Sequence, residues 1–328
     1  MQSGNFKITI YGKMGVKSFQ IIYDKSTAIF MPGQSVSGKV LLVTNKTIKI
    51  RSIKMTIKGR ASVSWHEKQI LAKSTKYYTA KEEYFKNQFT LFGDNGEVDL
   101  EENEHDFPFS ILLPQKLPST YNGRYGNILY KAKVTIDIPW AIDKVARSTF
   151  QVISPLDLNE EQNLAEPVKI EKEKNYCCCC CRSGPMNLIV CLPYSGFVPG
   201  QNIPFDIELN NDSNVAIKCV KIKLEKDTYF KATRPSTKTN KKSKNLAKLS
   251  LNGIREHDTK TLSEQILIPS SLEFSNLKNC QIIEEKYVLK VETCVGILNR
   301  NTNLHANISI GNIPLVIAQD ALPIKCQT

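Results

Sequence analysis

The apolar positions of this chain recur in short runs with a period of two. Lys7–Tyr11, Phe19–Tyr23, Val36–Val43, Ile50–Arg60 and Tyr130–Ile138 are rich in Val, Ile, Thr and Tyr. Ile53, Met55 and Ile57 alternate with Lys54, Thr56 and Lys58. Successive side chains of a strand point to opposite faces, so this pattern predicts strands with one buried and one wet side. Ile48 and Ile50 precede Ile53 with the alternation slipped by one, which predicts a bulge or a turn between strands. Pro and Gly punctuate the runs at Pro32–Gly33, Gly93–Asp94–Asn95–Gly96, Gly123 and Gly126. Ser64–Leu71 comes nearest to a helical stripe, but it is short and reads equally well as a loop. Many strands at turn-marked intervals, without regular helices between them, predict an all-β fold of sandwiches rather than βαβ units.

The pattern repeats within the chain. Phe30–Met31–Pro32–Gly33–Gln34, followed by Val36–Val43, has a partner 167 residues later in Phe197–Val198–Pro199–Gly200–Gln201, followed by Ile203–Leu209. Each copy then reaches Asn and a second alternating run, Ile50–Ile57 and Ile217–Leu224. Phe109–Pro114 pairs with Gln265–Pro269, and Tyr130–Val134 with Tyr287–Val291, at offsets of 155 and 157. Four elements in a shared order predict two copies of one β-sandwich. Pro32, Gly33, Gln34 and their counterparts Pro199, Gly200, Gln201 are fold turns. Pro presets φ, Gly admits a left-handed position, and the result is a type II-like turn feeding a strand.

Between the copies, Pro155–Asn175 carries six acids, three lysines and few apolar residues. It predicts a solvated connection in which Pro167–Ile170 could add a short edge strand. The expected division is an N-terminal sandwich over 1–155, a charged linker over 156–176 and a C-terminal sandwich over 177–328.

The chain has 328 residues and a formal net charge of +12, with 41% hydrophobic and 23% charged residues. That is globular composition. No run of 18 apolar residues marks a transmembrane helix, and Met1–Phe6 lacks a signal-peptide pattern, so the expectation is a cytosolic chain. Its ten cysteines are too sparse and too clustered for a secreted disulfide scaffold, and reduced thiols are expected. Charge is uneven. Asp94–Asp106 holds seven acids and no base, an acidic loop on a basic domain. Lys231, Arg234, Lys238, Lys241, Lys242, Lys244 and Lys248 fall in a stretch with no acid, whose centre, Ser236–Asn245, is all Ser, Thr, Asn and Lys. It reads as a mobile loop: either a solvated loop or a contact for anionic headgroups, phosphorylated tails or nucleic acid. Each Lys near an anionic membrane contributes about 1 kcal/mol. Nucleic acid is not expected as a partner, because aromatics are not interleaved and no reader motif accompanies the loop.

Enzyme readings lack parts. Gly-x-Ser-x-Gly, GxxxxGK[ST], HExxH and GxGxxG are all absent, and His66, His105, His257 and His305 are scattered. Neither a catalytic residue, a cofactor site nor a metal site is expected. The strongest chemical candidate is Cys177, Cys178, Cys179, Cys180 and Cys181. As one extended strand it would offer Cys177, Cys179 and Cys181 on a single face, short of the four separated ligands of a structural zinc. The alternatives are packing or edge-strand thiols, acylation beside Lys172, Lys174 and Arg182, metal binding, and redox chemistry.

These residues together carry a resemblance. Phe30–Val40 with the strand Ile53–Gly59, Phe107–Pro108–Phe109 with Leu113–Pro114 before Tyr121–Tyr130, and the block ending Ile138–Pro139–Trp140 resemble the first domain of α-arrestins, the arrestin domain-containing family. Cys177–Cys181 leading into Arg182–Ser183–Gly184–Pro185 resembles that family's cysteine-rich lead into its second domain. Gly196–Gln201 resembles its Gly-Tyr-x-x-Gly-Glu turn, and Ile308–Leu315 its closing strand. The resemblance implies two tandem arrestin-like (immunoglobulin-like) sandwiches forming a non-enzymatic adaptor. Such adaptors link receptors or transporters to endosomal sorting and ubiquitination, with peripheral association at the plasma membrane or endosomes. Expected partners are cytoplasmic tails of membrane proteins, anionic lipid and another arrestin-like protein. A ubiquitin ligase would be reached indirectly, since the sequence holds no Pro-Pro-x-Tyr motif. The competing reading is a structural or signalling interaction protein with a thiol-rich or edge-strand surface and no cargo role.

Overall fold

Burial alternates along the long strands as the side-chain period requires. In a computed structural model that describes residues 15–69, 74–93, 96–178, 181–182, 184–296 and 299–317, Val36, Val40 and Leu42 of one strand are buried while Ser35, Lys39 and Leu41 are not. The expected strand Lys7–Tyr11 lies outside the described residues. So does Leu322–Lys325, the segment following the closing strand.

The first set of strands is β1 (Val16–Tyr23), β2 (Ile29–Phe30), β3 (Ser35–Thr44), β4 (Ile48–Ile50), β5 (Ser52–Gln69), β6 (Ser74–Phe92), β7 (Val98–Leu100), β8 (Glu104–Leu112), β9 (Tyr121–Asn122), β10 (Gly126–Asp137) and β11 (Lys144–Val152). β1-β3-β8 forms one sheet, β2-β11-β10-β5-β6 with β9 the second, and β4-β7 a small ribbon. Phe19, Leu42, Met55, Ile57, Tyr130 and Phe150, drawn from both large sheets, share one buried cluster. Side chains of that size each contribute about 1.5–3 kcal/mol on burial, so this layer between sheets holds the sandwich together. The slip between Ile50 and Ile53 is a change of sheet. Ile48–Ile50 pairs with β7, the next strand pairs with β6 and β10, and both Ile50 and Ile53 are fully buried. Arg51 pins the corner: its Nε and Nη2 donate to Asp137 Oδ1 at 2.9 and 2.6 Å, and its backbone N donates to the Asp137 carbonyl.

The second set is β12 (Val168–Lys174), β13 (Cys177–Cys178), β14 (Cys181–Arg182), β15 (Met186–Leu192), β16 (Gly196–Phe197), β17 (Asn202–Asn211), β18 (Ile217–Ala232), β19 (Lys238–Ile254), β20 (Asp258–Leu267), β21 (Ile283–Cys294) and β22 (Thr302–Ile310). Its sheets are β12-β15-β17-β20, β16-β22-β21-β18-β19 and the hairpin β13-β14. The order β16-β22-β21-β18-β19 repeats β2-β11-β10-β5-β6 strand for strand, with the leading pair parallel in each copy. Among the described residues the helical segments are two 3-10 turns, Leu158–Glu160 and Gln162–Ala165, and the fold is all-β.

The two turns repeat in atomic detail. Gln34 N donates to the Met31 carbonyl and Gln201 N to the Val198 carbonyl, both at 3.1 Å. Gly33 and Gly200 take φ of +77° and +90°, the left-handed third position of a type II turn. Each Gln side chain then reaches back, Gln34 Oε1 accepting from Met31 N at 3.0 Å and Gln201 Oε1 from Val198 N at 2.9 Å. Leu113 N donates to the Gln34 carbonyl and Ile268 N to the Gln201 carbonyl, which ties the turn to the Leu-Pro and Ile-Pro ends of the second repeated element.

Several expectations change in the structure. Ser64–Gln69 continues β5 as strand, with Val63 and Trp65 buried between exposed Ser64 and His66. Trp65 stacks on Tyr78 of the paired strand at 5.4 Å, and that cross-strand pair outweighs the polar composition. The connection between the repeats is not simply solvated. Leu158 and Leu164 are buried, and Val168–Lys174 pairs with β15 along its whole length. The acidic stretch is partly strand, with Val98–Leu100 in β7 and Glu104–Asp106 opening β8, while Asp94 lies outside the described residues. The expectation that every thiol is reduced fails at Cys191 in β15, which is disulfide-bonded.

Two compact units partition the chain. One is Met1–Ser154 with Phe230–Asn240 and Ser275–Glu284; the other is Pro155–Tyr229, Lys241–Phe274 and Glu285–Thr328. The first unit's buried cluster accordingly includes Phe230, Ala232, Leu277, Ile282 and Ile283, with Phe230 edge-on to Tyr125 at 5.7 Å.

Candidate functional site: the lysine-rich edge strand

The stretch read as a mobile loop is ordered as strand from Lys238 onward. β19 is 17 residues long and closes one edge of the five-stranded sheet against β18. It escaped the period-two reading because an edge strand draws its order from backbone pairing with its neighbour while leaving polar side chains in water. Lysines on such an edge also discourage unwanted sheet-to-sheet association.

The seven basic residues divide by role. Lys231 is exposed near the end of β18, and its backbone N donates to the Ile282 carbonyl at 2.8 Å. Arg234 is held by its backbone to Thr79, each N–H donating to the other's carbonyl. Lys238 Nζ donates to Glu67 Oε2 and sits 5.0 Å from the Tyr78 ring centre. That hydrogen bond raises the Lys238 pKa and lowers that of Glu67. Both groups are open to solvent, so the pair contributes little to stability.

Lys241 reaches Asp227 Oδ2 on β18 at 2.8 Å, and Ser243 Oγ donates to Asp227 Oδ1. The Asp227 side chain is only 3% exposed. Burial pushes its carboxyl upward, but the hydrogen bonds from Lys241 and Ser243, aided by the Lys241 and Lys290 charges, outweigh that and hold it below the usual range. Beside them Tyr229 has two cations near its ring, Lys241 at 5.4 Å and Lys286 at 5.6 Å from its centre. Lys242, Lys244 and Lys248 are exposed along the rest of the strand. β19 therefore presents a cationic strip, anchored by a buried carboxylate, at the end of the five-stranded sheet.

Sequence reasoning found the lysines but not Asp227, Ser243, Tyr229 or Glu67, which matter through cross-strand neighbourhood. The signal was present in the repeat. β18 and β19 correspond to β5 and β6, and carrying that hairpin over would have placed Ser243 and Lys241 against β18.

The cysteine run is not one extended strand. Cys177 pairs with Arg182 and Cys178 with Cys181 in the two-stranded hairpin, which brings the ends of the run together; Cys179 and Cys180 lie outside the described residues. The histidines stay apart, His105 Nε2 against the Glu101 carbonyl and His257 Nε2 against Asn214 Oδ1. Among the described residues no group of three or more His, Cys, Asp or Glu is arranged to hold a metal. Among the described residues no helix is long and apolar enough to cross a membrane.

Comparison with known proteins agrees with this architecture. The family model "Arrestin (or S-antigen), N-terminal domain" matches residues 19–159, and "Arrestin (or S-antigen), C-terminal domain" matches residues 182–315. The chain is 27% identical over 309 residues to "Arrestin domain-containing protein 17" of Caenorhabditis elegans, an alignment covering 90% of this chain and 70% of that protein. It is 26% identical over 277 residues to "Arrestin domain-containing protein 1" of Rattus norvegicus, covering 84% of this chain and 61% of the rat protein. "Arrestin domain-containing protein 4" of Mus musculus is 27% identical over 231 residues, covering 68% of this chain and 55% of the mouse protein. With both arrestin domains matched in order and the strand order duplicated between them, the chain belongs to the arrestin domain-containing (α-arrestin) family.

Proposed function

We propose that this chain is a non-enzymatic adaptor that gathers the cytoplasmic tails of membrane proteins for endosomal sorting. The observation that carries the reading is β19, a 17-residue sheet edge lined with exposed lysines. An extended peptide can add to such an edge through main-chain hydrogen bonds. Lys242, Lys244 and Lys248 favour acidic or phosphorylated segments, whose oxygens accept charge-assisted hydrogen bonds. Anionic headgroups satisfy the same cations, so peripheral attachment at the plasma membrane or endosomes accompanies cargo capture. A ubiquitin ligase is engaged indirectly, through another arrestin-like protein or through the cargo itself.

The test is binding of acidic and phosphorylated tail peptides, followed by fluorescence anisotropy. Reversing Lys242, Lys244 and Lys248 to Glu is expected to weaken binding about tenfold, from roughly 0.5 kcal/mol per exposed charge, with the loss shrinking as salt rises. Unchanged affinity in that variant removes the edge from cargo recognition. Proximity labelling in cells then tests the wider role: endosomal and sorting proteins among the neighbours support it, whereas a nuclear or ribosomal set refutes it.

A further inference from the structure

The second unit also holds a thiol pair that cargo binding does not use. Cys219 stands near the start of β18 and Cys294 ends β21, and these strands are neighbours in the five-stranded sheet. In the first copy Asp137 of β10 faces Ser52 of β5, and the repeat offsets of 157 and 167 carry that facing pair onto Cys294 and Cys219. Both are free and half-exposed. Their sequence neighbours Val220 and Thr293 are buried, so the pair occupies the outward face of the sheet, where a small oxidant can arrive. Lys221 and Glu292 stand beside it, and Glu292 is itself tied to Lys223 at 3.8 Å. No third metal-ligating side chain joins them among the described residues, which favours sulfur–sulfur chemistry over ion capture.

We propose that Cys219 and Cys294 form a redox-modifiable dithiol, converted by a hydroperoxide into a cross-strand disulfide and restored by a thiol reductant. Facing side chains on neighbouring strands place their Cβ atoms about 4.5–5.5 Å apart, and a disulfide needs about 3.5–4.5 Å, so closure asks for a shift of about an ångström. In the first step one thiolate attacks the peroxide. It becomes a sulfenic acid, the O–O bond breaks, and the hydroperoxide leaves as an alcohol, or as water from hydrogen peroxide. In the second step the neighbouring sulfur displaces the hydroxyl group as water and the S–S bond forms. Two electrons pass from the sulfurs to the peroxide, and the two thiol protons end in the released products. Burial, and then the adjoining Cys219, hold the Cys294 thiol above its ordinary range. Because the thiolate is the reactive form, the reaction quickens as pH rises. The product staples β18 to β21 with β19 and β20 inside the closed loop, so local opening of this sheet is restrained in the oxidised state.

The full-length protein is treated with hydrogen peroxide, alkylated, digested and analysed by mass spectrometry. The expected result is a peptide joining Cys219 to Cys294, lighter by two hydrogens than its reduced parts and lost on treatment with dithiothreitol. Cys219→Ser and Cys294→Ser each abolish it and leave the remaining cysteine open to alkylation. Cys219→Ala and Cys294→Ala give the same readout should serine unsettle the sheet, with circular dichroism confirming the fold. Full alkylation of both residues after peroxide overturns the proposal, as does a bond from either one to a different cysteine.

Discussion

The two sandwiches share a strand order but treat their corresponding edge strands differently. β6 carries Tyr77, Tyr78, Tyr84 and Phe85, and stacks Tyr78 on Trp65. β19 carries Lys241, Lys242, Lys244 and Lys248 and secures itself to a buried carboxylate. One edge is held mainly by aromatic packing, the other by an ion pair and a hydroxyl. The same backbone scaffold thus supports two different edges: Trp65 and Tyr78 belong to the buried cluster of the first sandwich, whereas Lys242, Lys244 and Lys248 stay exposed.

The largest expected effect tests whether the cores are equivalent beneath those edges. Ile57 and Leu224 occupy matching places in the repeat and are fully buried. Replacing either with Ala should cost about 2–5 kcal/mol. Both tryptophans, Trp65 and Trp140, belong to the first unit, so tryptophan fluorescence during urea unfolding follows Ile57→Ala, while circular dichroism registers both changes. A loss confined to one of the two variants would break the equivalence.

Next come the two anchors. Asp227→Asn should destabilise the second unit by about 1–3 kcal/mol, because Lys241 and Ser243 lose a charged acceptor. Since the folded Asp227 titrates below its unfolded value, its contribution is present above the unfolded carboxylate pKa and fades as pH falls through the lower, folded one. Acid titration of wild type and variant should therefore converge at low pH. Glu67→Gln removes the partner of Lys238 on an open surface, and its unfolding midpoint should scarcely move at any salt concentration.

The turns distinguish the copies more finely. Ala at Gly33 or Gly200 must adopt a left-handed φ, a cost of about 1–2 kcal/mol. At Gly33 a Cβ would also meet the Gln115 amide at 2.6 Å, whereas at Gly200 the nearest atom is Ser270 Cβ at 3.7 Å. Gly33→Ala should thus be the worse of the two in thermal unfolding. Smaller than the glycine changes, Gln34→Ala and Gln201→Ala each remove one side-chain bond to a turn amide and should cost about 0.5–1.5 kcal/mol. Equal shifts in melting temperature, corrected for the unit affected, would show that the turns are interchangeable.

What the sequence disclosed follows the range of each interaction. Pro-Gly-Gln is a local instruction, and the buried alternation of β3, β5, β10 and β17 is written in neighbouring residues, so the all-β duplicated plan could be read directly. The first half of β19, Lys238–Asn245, could not, because Ser, Thr, Asn and Lys carry no apolar period and its order depends on β18. The corner at Arg51 showed as a slip in alternation, but Asp137, which explains it, lies far along the chain. Asp227 looked like one acid among many until the sheet placed Lys241 and Ser243 upon it.

One feature of the partition bears on how the protein is made. Ile282 and Ile283 belong to the buried cluster of the first sandwich, although most of that unit is encoded before Pro155. A ribosome that has finished β11 has therefore not yet made the last side chains that seal the structure. The nascent first half must wait, with an apolar patch open to water, until translation passes Glu284, and during that interval a chaperone has something to hold.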